Sequence, residues 1–435
     1  MTHRTLLLVT LSVAACAHGG PPKDLGDLDL DRVPIADAPS LAHVADAVQP
    51  GAAETVADLF TMAPTFRAAP DPTALLTETQ AANEARENEG VPLAVATFNV
   101  ALLDANIFGV IPYSESPYLE ERRPVLPDLV LGEGYYVLLL QEVWRKKDAR
   151  RFEEAAERHG YLVHKGPRGR YNDGVLTLVR AELLAEGSGL TGGGASYRER
   201  DGMEYFPGPH IKRGYLWTRF EHAEIGPITL FNTHMQAWPD NWAMRMAEGR
   251  QLGLQIREVA AAEGGDAVVI FGGDLNGGSY YRDDTWTMPD GSEHGGWFAN
   301  TLSYGVVMHY GDLQDLYVLG QPAERAADDV TFGKTVPAES ERMATEPFGD
   351  PAWCEKTHGQ VFTASDCTVL YFEQYAGEEY PARMDHLMVH DPAGRVWVEE
   401  SDIIFTEPVT FGDLHPMPPS DHLGVAVWLR VAPAK

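Results

Sequence analysis

The sequence predicts an α/β domain in which strands and helices alternate and layer on one another. Two observations carry that expectation. The first is the run Val268-Val269-Ile270-Phe271-Gly272-Gly273-Asp274-Leu275-Asn276, whose β-branched and aromatic residues read as a buried strand ended by glycines. A carboxylate and a carboxamide stand at its tip. Such groups do little for stability and make sense where a strand end lines a site. The second is that the same grammar recurs along the chain, with apolar runs closing on an acidic, amide or imidazole residue.

The N-terminus comes first. Met1–Arg4 carries a positive charge, Leu6–Val13 is apolar, and Ala14-Ala15-Cys16 follows. This is the pattern of a secretory signal, too short to cross a membrane as a mature helix. Small residues directly before a cysteine resemble the lipobox of bacterial lipoproteins. That resemblance implies removal of residues 1–15, lipidation of Cys16 and, with Ala17 next, a place at the outer membrane. An ordinary signal peptide leading to secretion is the alternative. Residues 16–90 are rich in Ala, Pro, Asp and Glu and read as an acidic tether, with short helices at Leu25–Asp31 and Ala52–Met62. Residues 91–435 form the catalytic domain in this reading.

Within that domain the predicted strands are Leu93–Phe98, Tyr135–Leu140, Val175–Val179, Leu216–Phe220, Ile228–Thr233, Ala267–Gly272, His386–His390 and Val425–Arg430. Leu252, Ile256 and Val259 fall at i, i+4 and i+7, which predicts a helix over Ala243–Ala262. A second helix is expected from Lys147 to His159. Two long stretches break the rhythm: Gly277–Asp312, crowded with aromatic residues, and Gln321–Ala382. Loops of that length in a compact domain are usually functional or disordered, and the aromatics of the first argue against plain disorder. The cysteines are Cys16, Cys354 and Cys367. With Cys16 lipidated in an oxidising compartment, Cys354 and Cys367 are left as an even pair suited to a disulfide; two separate buried thiols are the alternative.

Composition narrows the function. Among 435 residues, 34 Lys and Arg face 64 Asp and Glu, a formal charge of -30. A domain that grips nucleic acid by its phosphates carries the opposite bias, whereas such a surface attracts divalent cations. Hydrophobic residues at 44% allow a sizeable core.

Lined up by strand, the tips deliver Asn99, then Gln141 with Glu142, then His234 and Gln236, then Asp274 and Asn276; Asp385 opens another strand, and Ser420, Asp421 and His422 precede the last. Oxygen-rich carboxylates and amides suit Mg²⁺, with Mn²⁺ or Ca²⁺ as alternatives. Imidazoles suit contacts to phosphate or proton transfer near neutral pH. At this point the chain resembles the endonuclease/exonuclease/phosphatase superfamily, the fold of pancreatic-type DNase, abasic-site endonucleases, inositol-phosphate phosphatases and neutral sphingomyelinases. The matching segments are Thr97-Phe98-Asn99-Val100, Leu140-Gln141-Glu142-Val143, Asn232-Thr233-His234, Gly273-Asp274-Leu275-Asn276, Arg383-Met384-Asp385-His386 and Ser420-Asp421-His422, in the family order. Each alone is weak; six in order are strong.

The resemblance implies a four-layer sandwich, two face-to-face mixed β-sheets flanked by helices, with the site where strand ends converge. It makes Glu142 the principal metal ligand, helped by Asn99, with Asp421 a second-metal or supporting carboxylate. Asp274 orients or deprotonates the attacking water, and Asn276 binds a phosphate oxygen. His422 contacts phosphate or acts as base, oriented by Asp385, and His234 contacts the phosphate or leaving group. Whether Asp274 or His422 is the base stays open. Asn172 and Asp173, before Gly174, form either a plain turn or the substrate rim, and Lys212-Arg213 either flanks a strand or helps hold an anion.

The segment Thr233-His234-Met235-Gln236-Ala237 resembles the neutral sphingomyelinase-like branch, as do Gly214-Tyr215-Leu216-Trp217 and the arginines Arg245 and Arg250. The expected function is therefore Mg²⁺-dependent hydrolysis of a phosphodiester, of phospholipase C type on a phospholipid such as sphingomyelin. The expected state is a monomer held at the envelope membrane by its N-terminal lipid. A secreted DNase-like nuclease and a catalytically silent binding lipoprotein are the alternatives; nucleic acid is disfavoured by charge.

Overall fold

The computed structural model describes residues 90–434 except 108–110, 115–117, 166–173, 198–212, 238–241, 265–266, 279–284, 288–292, 296–297, 322–330, 332–382 and 413–418, together with Ala81 and Asn83. Cys16, Cys354, Cys367, Asn172 and Asp173 lie outside the described residues, as do the expected helices Leu25–Asp31 and Ala52–Met62.

The expected sandwich is present. The strands are β1 (Val91–Asn99), β2 (Asp104–Ile107), β3 (Ile111–Ser114), β4 (Val137–Gln141), β5 (Tyr161–Lys165), β6 (Leu176–Arg180), β7 (Thr191–Ser196), β8 (Gly214–His222), β9 (Gly226–His234), β10 (Val268–Asp274), β11 (Thr285–Thr287), β12 (Glu293–Gly295), β13 (Gln314–Asp315), β14 (Asp385–His390), β15 (Val396–Ile404) and β16 (Gly424–Val431). One six-stranded sheet runs β15-β16-β1-β4-β6-β5 and the other β13-β14-β10-β9-β8-β7; β2 with β3 and β11 with β12 are separate hairpins. The helices are α1 (Leu119–Arg122), α2 (Leu126–Gly132), α3 (Lys146–His159), α4 (Trp242–Glu263), α5 (Phe298–Gly311) and α6 (Leu316–Gly320).

Side chains alternate across each strand, and the alternation builds the layers. Leu93, Val95, Val137 and Leu139 of the first sheet pack against Ile228, Leu230, Val268, Ile270, Leu387 and Val389 of the second, forming the central core. The intervening residues face outward. Ala96, Phe98, Leu138 and Leu140 meet Leu126 and Val130 of α2 and Phe152 of α3. On the far side Phe231, Val269, Phe271 and Met388 meet Leu252 and Ile256 of α4 and Tyr304 and Val307 of α5. A one-residue slip of any central strand would exchange these faces, so the pattern sets the register. Gly272 shows how closely the sheets approach: a Cβ there would lie 2.6 Å from Leu139 Cδ1 and 2.7 Å from Leu387 Cδ2.

Toward one end of the sandwich the inward residues turn polar, and the sheets are clasped by hydrogen bonds. Gln141 Nε2 donates to Asn232 Oδ1 at 2.9 Å, and Asn232 Nδ2 donates to the Leu140 and Leu176 carbonyls at 3.1 and 3.0 Å. Both side chains are fully buried.

The eight strands and two helices expected within the domain are present, with no end shifted by more than two residues. Helix α5 corrects the reading of Gly277–Asp312 as loop. Its Tyr304, Val306, Val307 and Tyr310 are buried and spread around the helix rather than along one stripe, so the amphipathic pattern that marks a surface helix in a sequence is weak. It packs on α4 at Gly253, where a Cβ would stand 2.7 Å from Tyr310 Cβ. Strands β5, β7, β13 and β15 also went unpredicted; β7 is Thr-Gly-Gly-Gly-Ala-Ser and offers no apolar pattern to read. In the segment read as tether, Asn83 is buried and pairs with edge strand β15, its Nδ2 donating to Val398 O and its Oδ1 accepting from Val398 N. Among the described residues no helix is long and apolar enough to cross a membrane.

Replacing Asn232 by Leu keeps the volume but takes the side-chain donor from the Leu140 and Leu176 carbonyls, while the Gln141 amide keeps Thr97 Oγ1 and Leu139 O. A loss of about 3 kcal/mol is expected, since each buried unsatisfied polar group costs ~1–3 kcal/mol, read as a lower urea midpoint.

Candidate active site

The inward face that carries apolar residues along each central strand carries functional groups at its tip. Leu93, Val95 and Thr97 lead to Asn99; Ile228, Leu230 and Asn232 lead to His234; Val268, Ile270 and Gly272 lead to Asp274. Register then aligns the tips. Asp274 pairs with His234 of parallel β9 and with Asp385 of antiparallel β14, and in the other sheet Asn99 pairs with Gln141. Across the sheets Asn99 Nδ2 donates to Asp274 Oδ2 at 2.9 Å. Residues 175 positions apart in sequence thus share one hydrogen bond.

Two residues leave the strand geometry. Glu142 follows inward-facing Gln141, and simple alternation would send it outward. It adopts φ 63, in the left-handed region that only a few non-glycine residues occupy, and its Oε1 lies 4.0 Å from His234 Nε2. Asn276 has φ 49; its backbone N–H donates to Asp274 Oδ1 at 2.8 Å and its Nδ2 to Met235 O at 3.1 Å. Strained backbone of this kind clusters at functional sites.

The remaining groups arrive on the segment before β16. His422 Nδ1 bonds Asp385 Oδ2 at 2.8 Å while its Nε2 faces Asp274 Oδ2 at 3.8 Å. Ser420 Oγ donates to the Asn99 carbonyl at 2.6 Å and also bonds Asp421 Oδ1 at 3.2 Å. Arg122, wholly buried, secures this segment: its guanidinium donates to Val100 O at 2.8 Å, Ala101 O at 2.9 Å and Pro419 O at 2.7 Å. Thr331 Oγ1 accepts from the Asp385 amide at 3.1 Å, and its carbonyl accepts from Leu423 N at 2.8 Å.

The electrostatics follow from crowding acids in a dry place. Burial, and then the neighbouring Asp421 carboxylate, push Glu142 up to about 7, with Arg213 only partly offsetting them. Burial raises Asp385 to about 6 against the pull of His422. For His422 burial acts downward, but Asp385, Asp274 and Asp421 outweigh it and raise the imidazole to about 10. His422 is therefore an imidazolium at neutral pH. His234 goes the other way: burial, then Arg213 and His422, hold it well below 6.5, and it stays neutral.

Does this donor set fit a divalent cation? The Asp421 carboxylate lies close enough to disfavour the charge of Glu142, and a cation held there relieves that cost. Asp274, Asp385 and His422 also bring ligand atoms within 4.8 Å of one another. Of these, His422 Nδ1 is engaged by Asp385 and the ring is cationic, so the carboxylate and amide oxygens are the better donors for a hard ion. The residues fit.

Of the positions singled out in the sequence, Asn99, His234, Asp274, Asn276, Asp385 and His422 form one contact network, with Glu142 and Asp421 at its edge. Arg213 proves more than a strand flank. It is buried, its Nη1 contacts both ring nitrogens of His234, and its guanidinium lies 5.2 Å from the Trp144 ring centroid. Trp144, Arg122 and Thr331 escaped sequence reasoning. None carries a motif, and a buried arginine bonded to main-chain carbonyls looks in sequence like any surface arginine.

A metal-dependent phosphoesterase is the class this arrangement defines. The chain belongs to the endonuclease/exonuclease/phosphatase family, whose model matches residues 96–422. Among solved structures it is similar to an endonuclease/exonuclease/phosphatase family protein from Bacteroides thetaiotaomicron, at 18% identity over 78% of this chain and 98% of that one, TM-score 0.47. It is also similar to a humanized TDP2 from D. rerio, at 15% identity over 78% and 99%, TM-score 0.46. A third likeness is to beta toxin from Staphylococcus aureus, at 10% identity over 77% and 99%, TM-score 0.47. No curated protein matches the chain.

Because Glu142 must lose its proton to bind a cation, and its carboxyl is raised to about 7, cation affinity is expected to fall as pH drops through that value. Calorimetric titration with Mg²⁺ is expected to show a dissociation constant that rises by about tenfold per pH unit below the shifted pKa, flattening above it.

Proposed function

We propose that this family member is a phospholipase C-type phosphodiesterase that cleaves the phospho-headgroup from a phospholipid such as sphingomyelin. The observation that carries the reading is the alignment of His234, Asp274 and Asp385 in one register row, bridged to Asn99 of the opposite sheet and faced by the His422 imidazolium. The THMQA segment and the acidic balance support a lipid over a polynucleotide.

A divalent cation, Mg²⁺ foremost with Mn²⁺ or Ca²⁺ as alternatives, would be held by Glu142, Asp421 and Asn99 and would supply neutralisation of the phosphate's charge. The chain's own residues do the rest. Asp274 is aimed by two bonds, from Asn99 and from the Asn276 amide, and takes the proton of the attacking water. His422, kept protonated by Asp385, donates to the phosphate and stabilises its growing charge. Asn276 spends one amide hydrogen on Met235 O and offers the other to a phosphate oxygen. Neutral His234, beside the cationic Arg213, contacts the leaving side. Water adds to phosphorus in line as its proton passes to Asp274, the bond to the lipid oxygen breaks, and the alkoxide takes a proton from solvent to leave as the lipid alcohol while Asp274 returns its own to solvent.

The N-terminal features complete the proposal. Cys16 carries lipid, and a monomer works at the bacterial envelope, with a Cys354–Cys367 disulfide and with Asn172 and Asp173 at the substrate rim. Cys16→Ser is expected to move the protein from the membrane to the soluble fraction; unchanged membrane partition would remove the anchor.

The deciding panel offers the full chain, with Mg²⁺, sphingomyelin, phosphatidylcholine, plasmid DNA and a phosphomonoester. Lipid turnover is expected, lost by about 10²-fold or more in Glu142→Ala on the scale of a missing charge-stabilising group, with the melting temperature of the variant no lower. Turnover of DNA alone would make the protein a nuclease, and turnover of nothing a binding lipoprotein.

A further inference from the structure

We propose that Arg383 and His386 are positioning residues, which hold the Asn276–Gly277 turn in its working geometry and tie it through Asp315 and Tyr304 to helices α5 and α6. Neither touches the groups assigned to phosphate or water. Both are buried beneath them, Arg383 just ahead of β14 and His386 its second residue.

The connections run without a break. Tyr304 Oη, on α5, donates to Asp315 Oδ2 at 2.7 Å. Asp315 caps α6, its Oδ1 accepting from Tyr317 N at 3.0 Å. Arg383 Nη2 donates to Asp315 Oδ2 at 2.7 Å, and its guanidinium lies 4.7 Å from the Tyr317 ring centroid. Arg383 Nη1 lies 3.3 Å from His386 Nδ1, and His386 Nε2 lies 3.0 Å from the Gly277 carbonyl.

These contacts assign the tautomer. Guanidinium has only donors, so its contact casts Nδ1 as the acceptor and leaves the ring proton on Nε2, toward the Gly277 carbonyl, although the Arg383 carbonyl also lies within reach of the ring and favours a ring proton. A ring with the proton on Nδ1 would set two donors against each other and two acceptors at the far end. Burial and then Arg383 also hold His386 down to about 3, so the neutral form persists through any working pH.

The turn needs such a hold. Asn276 sits at φ 49, a left-handed conformation that is unfavourable for a residue with a side chain and persists only when its surroundings insist on it. From one side the Asp274 carboxylate and Met235 carbonyl fix Asn276. From the other, His386 fixes the carbonyl of the next residue. A fully buried chain of two charged and two polar side chains is a poor way to stabilise a core, since well-packed apolar residues serve as well or better. It is a good way to set the direction of one main-chain carbonyl. The stretch 277–312 thus enters the site's architecture through α5, whose Tyr304 ring also lies 4.9 Å from that of His386.

The kinetic arm of the test rests on the phosphoesterase reading; the spectroscopic arm does not. With the full chain, Mg²⁺ and bis(p-nitrophenyl) phosphate, His386→Phe is expected to lower kcat by about 10- to 100-fold, the scale of a misplaced reacting group, with KM nearly unchanged. His386→Gln, which restores a donor toward Gly277, is expected to recover most of the loss. Combined with Asn276→Ala, His386→Phe is expected to add nothing further. Tyr304→Phe, which removes one hydroxyl, is expected to give a smaller loss of kcat in the same direction. Nitrogen NMR of labelled histidines in the wild-type protein is expected to show a neutral, Nε2-protonated His386, with that signal altered in Arg383→Met. A lowered melting temperature with kcat intact, additivity with Asn276→Ala, or an Nδ1-protonated or charged His386 would each overturn the proposal. Should the wild type leave the probe untouched, the phosphoesterase reading fails, while the tautomer still decides the relay.

Discussion

The hydrogen bond from Asn99 to Asp274 is the constraint on which the site depends. It joins the tips of two strands in different sheets, and it forms only if both sheets hold their register and their spacing. Register comes from the apolar alternation behind it: Val95 and Ile270 both face the central core, and four residues on in each strand, inward-facing Asn99 and Asp274 stand at the tips. Spacing comes from side-chain volume, with Gly272 admitting Leu139 and Leu387 where any larger residue would part the layers. Core and site are one structure read at two heights.

Polar groups buried at such a junction are costly unless each finds a partner. The clasp of Gln141 and Asn232 meets that requirement just below the site, saturating carbonyls of β4 and β6. Arg122 does so above it, satisfying three carbonyls of the segments that carry Asn99 and His422. What is left unbalanced lies between them. Glu142 and Asp421 repel, His422 is forced cationic and His234 neutral. Divergent proton affinities among close neighbours are the mark of a site arranged for chemistry, because one pocket then holds an acceptor, a donor and a place for a cation.

Family membership and geometry agree on phosphoester chemistry, and the proposed choice of a lipid over a polynucleotide is supported by the acidic balance and the THMQA segment. A formal charge of -30 opposes the approach of a polyanion at low ionic strength.

Much was legible in the sequence because the period of a buried strand is short and local. Val268–Phe271 announces itself, and the polar residue at its tip is conspicuous because it ends an apolar run. Asn99, His234, Asp274 and His422 were found in this way, together with the family pattern that ordered them. Helix α5 was not, because its buried residues such as Tyr304 and Val306 fall on different sides of the helix and make no amphipathic stripe, and β7 was not, because three glycines have no pattern. Sequence by itself determined which residues are strand tips and which of them bear chemistry, since neighbours along the chain decide alternation. Only the tertiary structure decided the left-handed turn that brings Glu142 inward, the protonation states of His234 and His422, and the service of Arg122 and Arg383, because each of these depends on which distant groups share the same dry space.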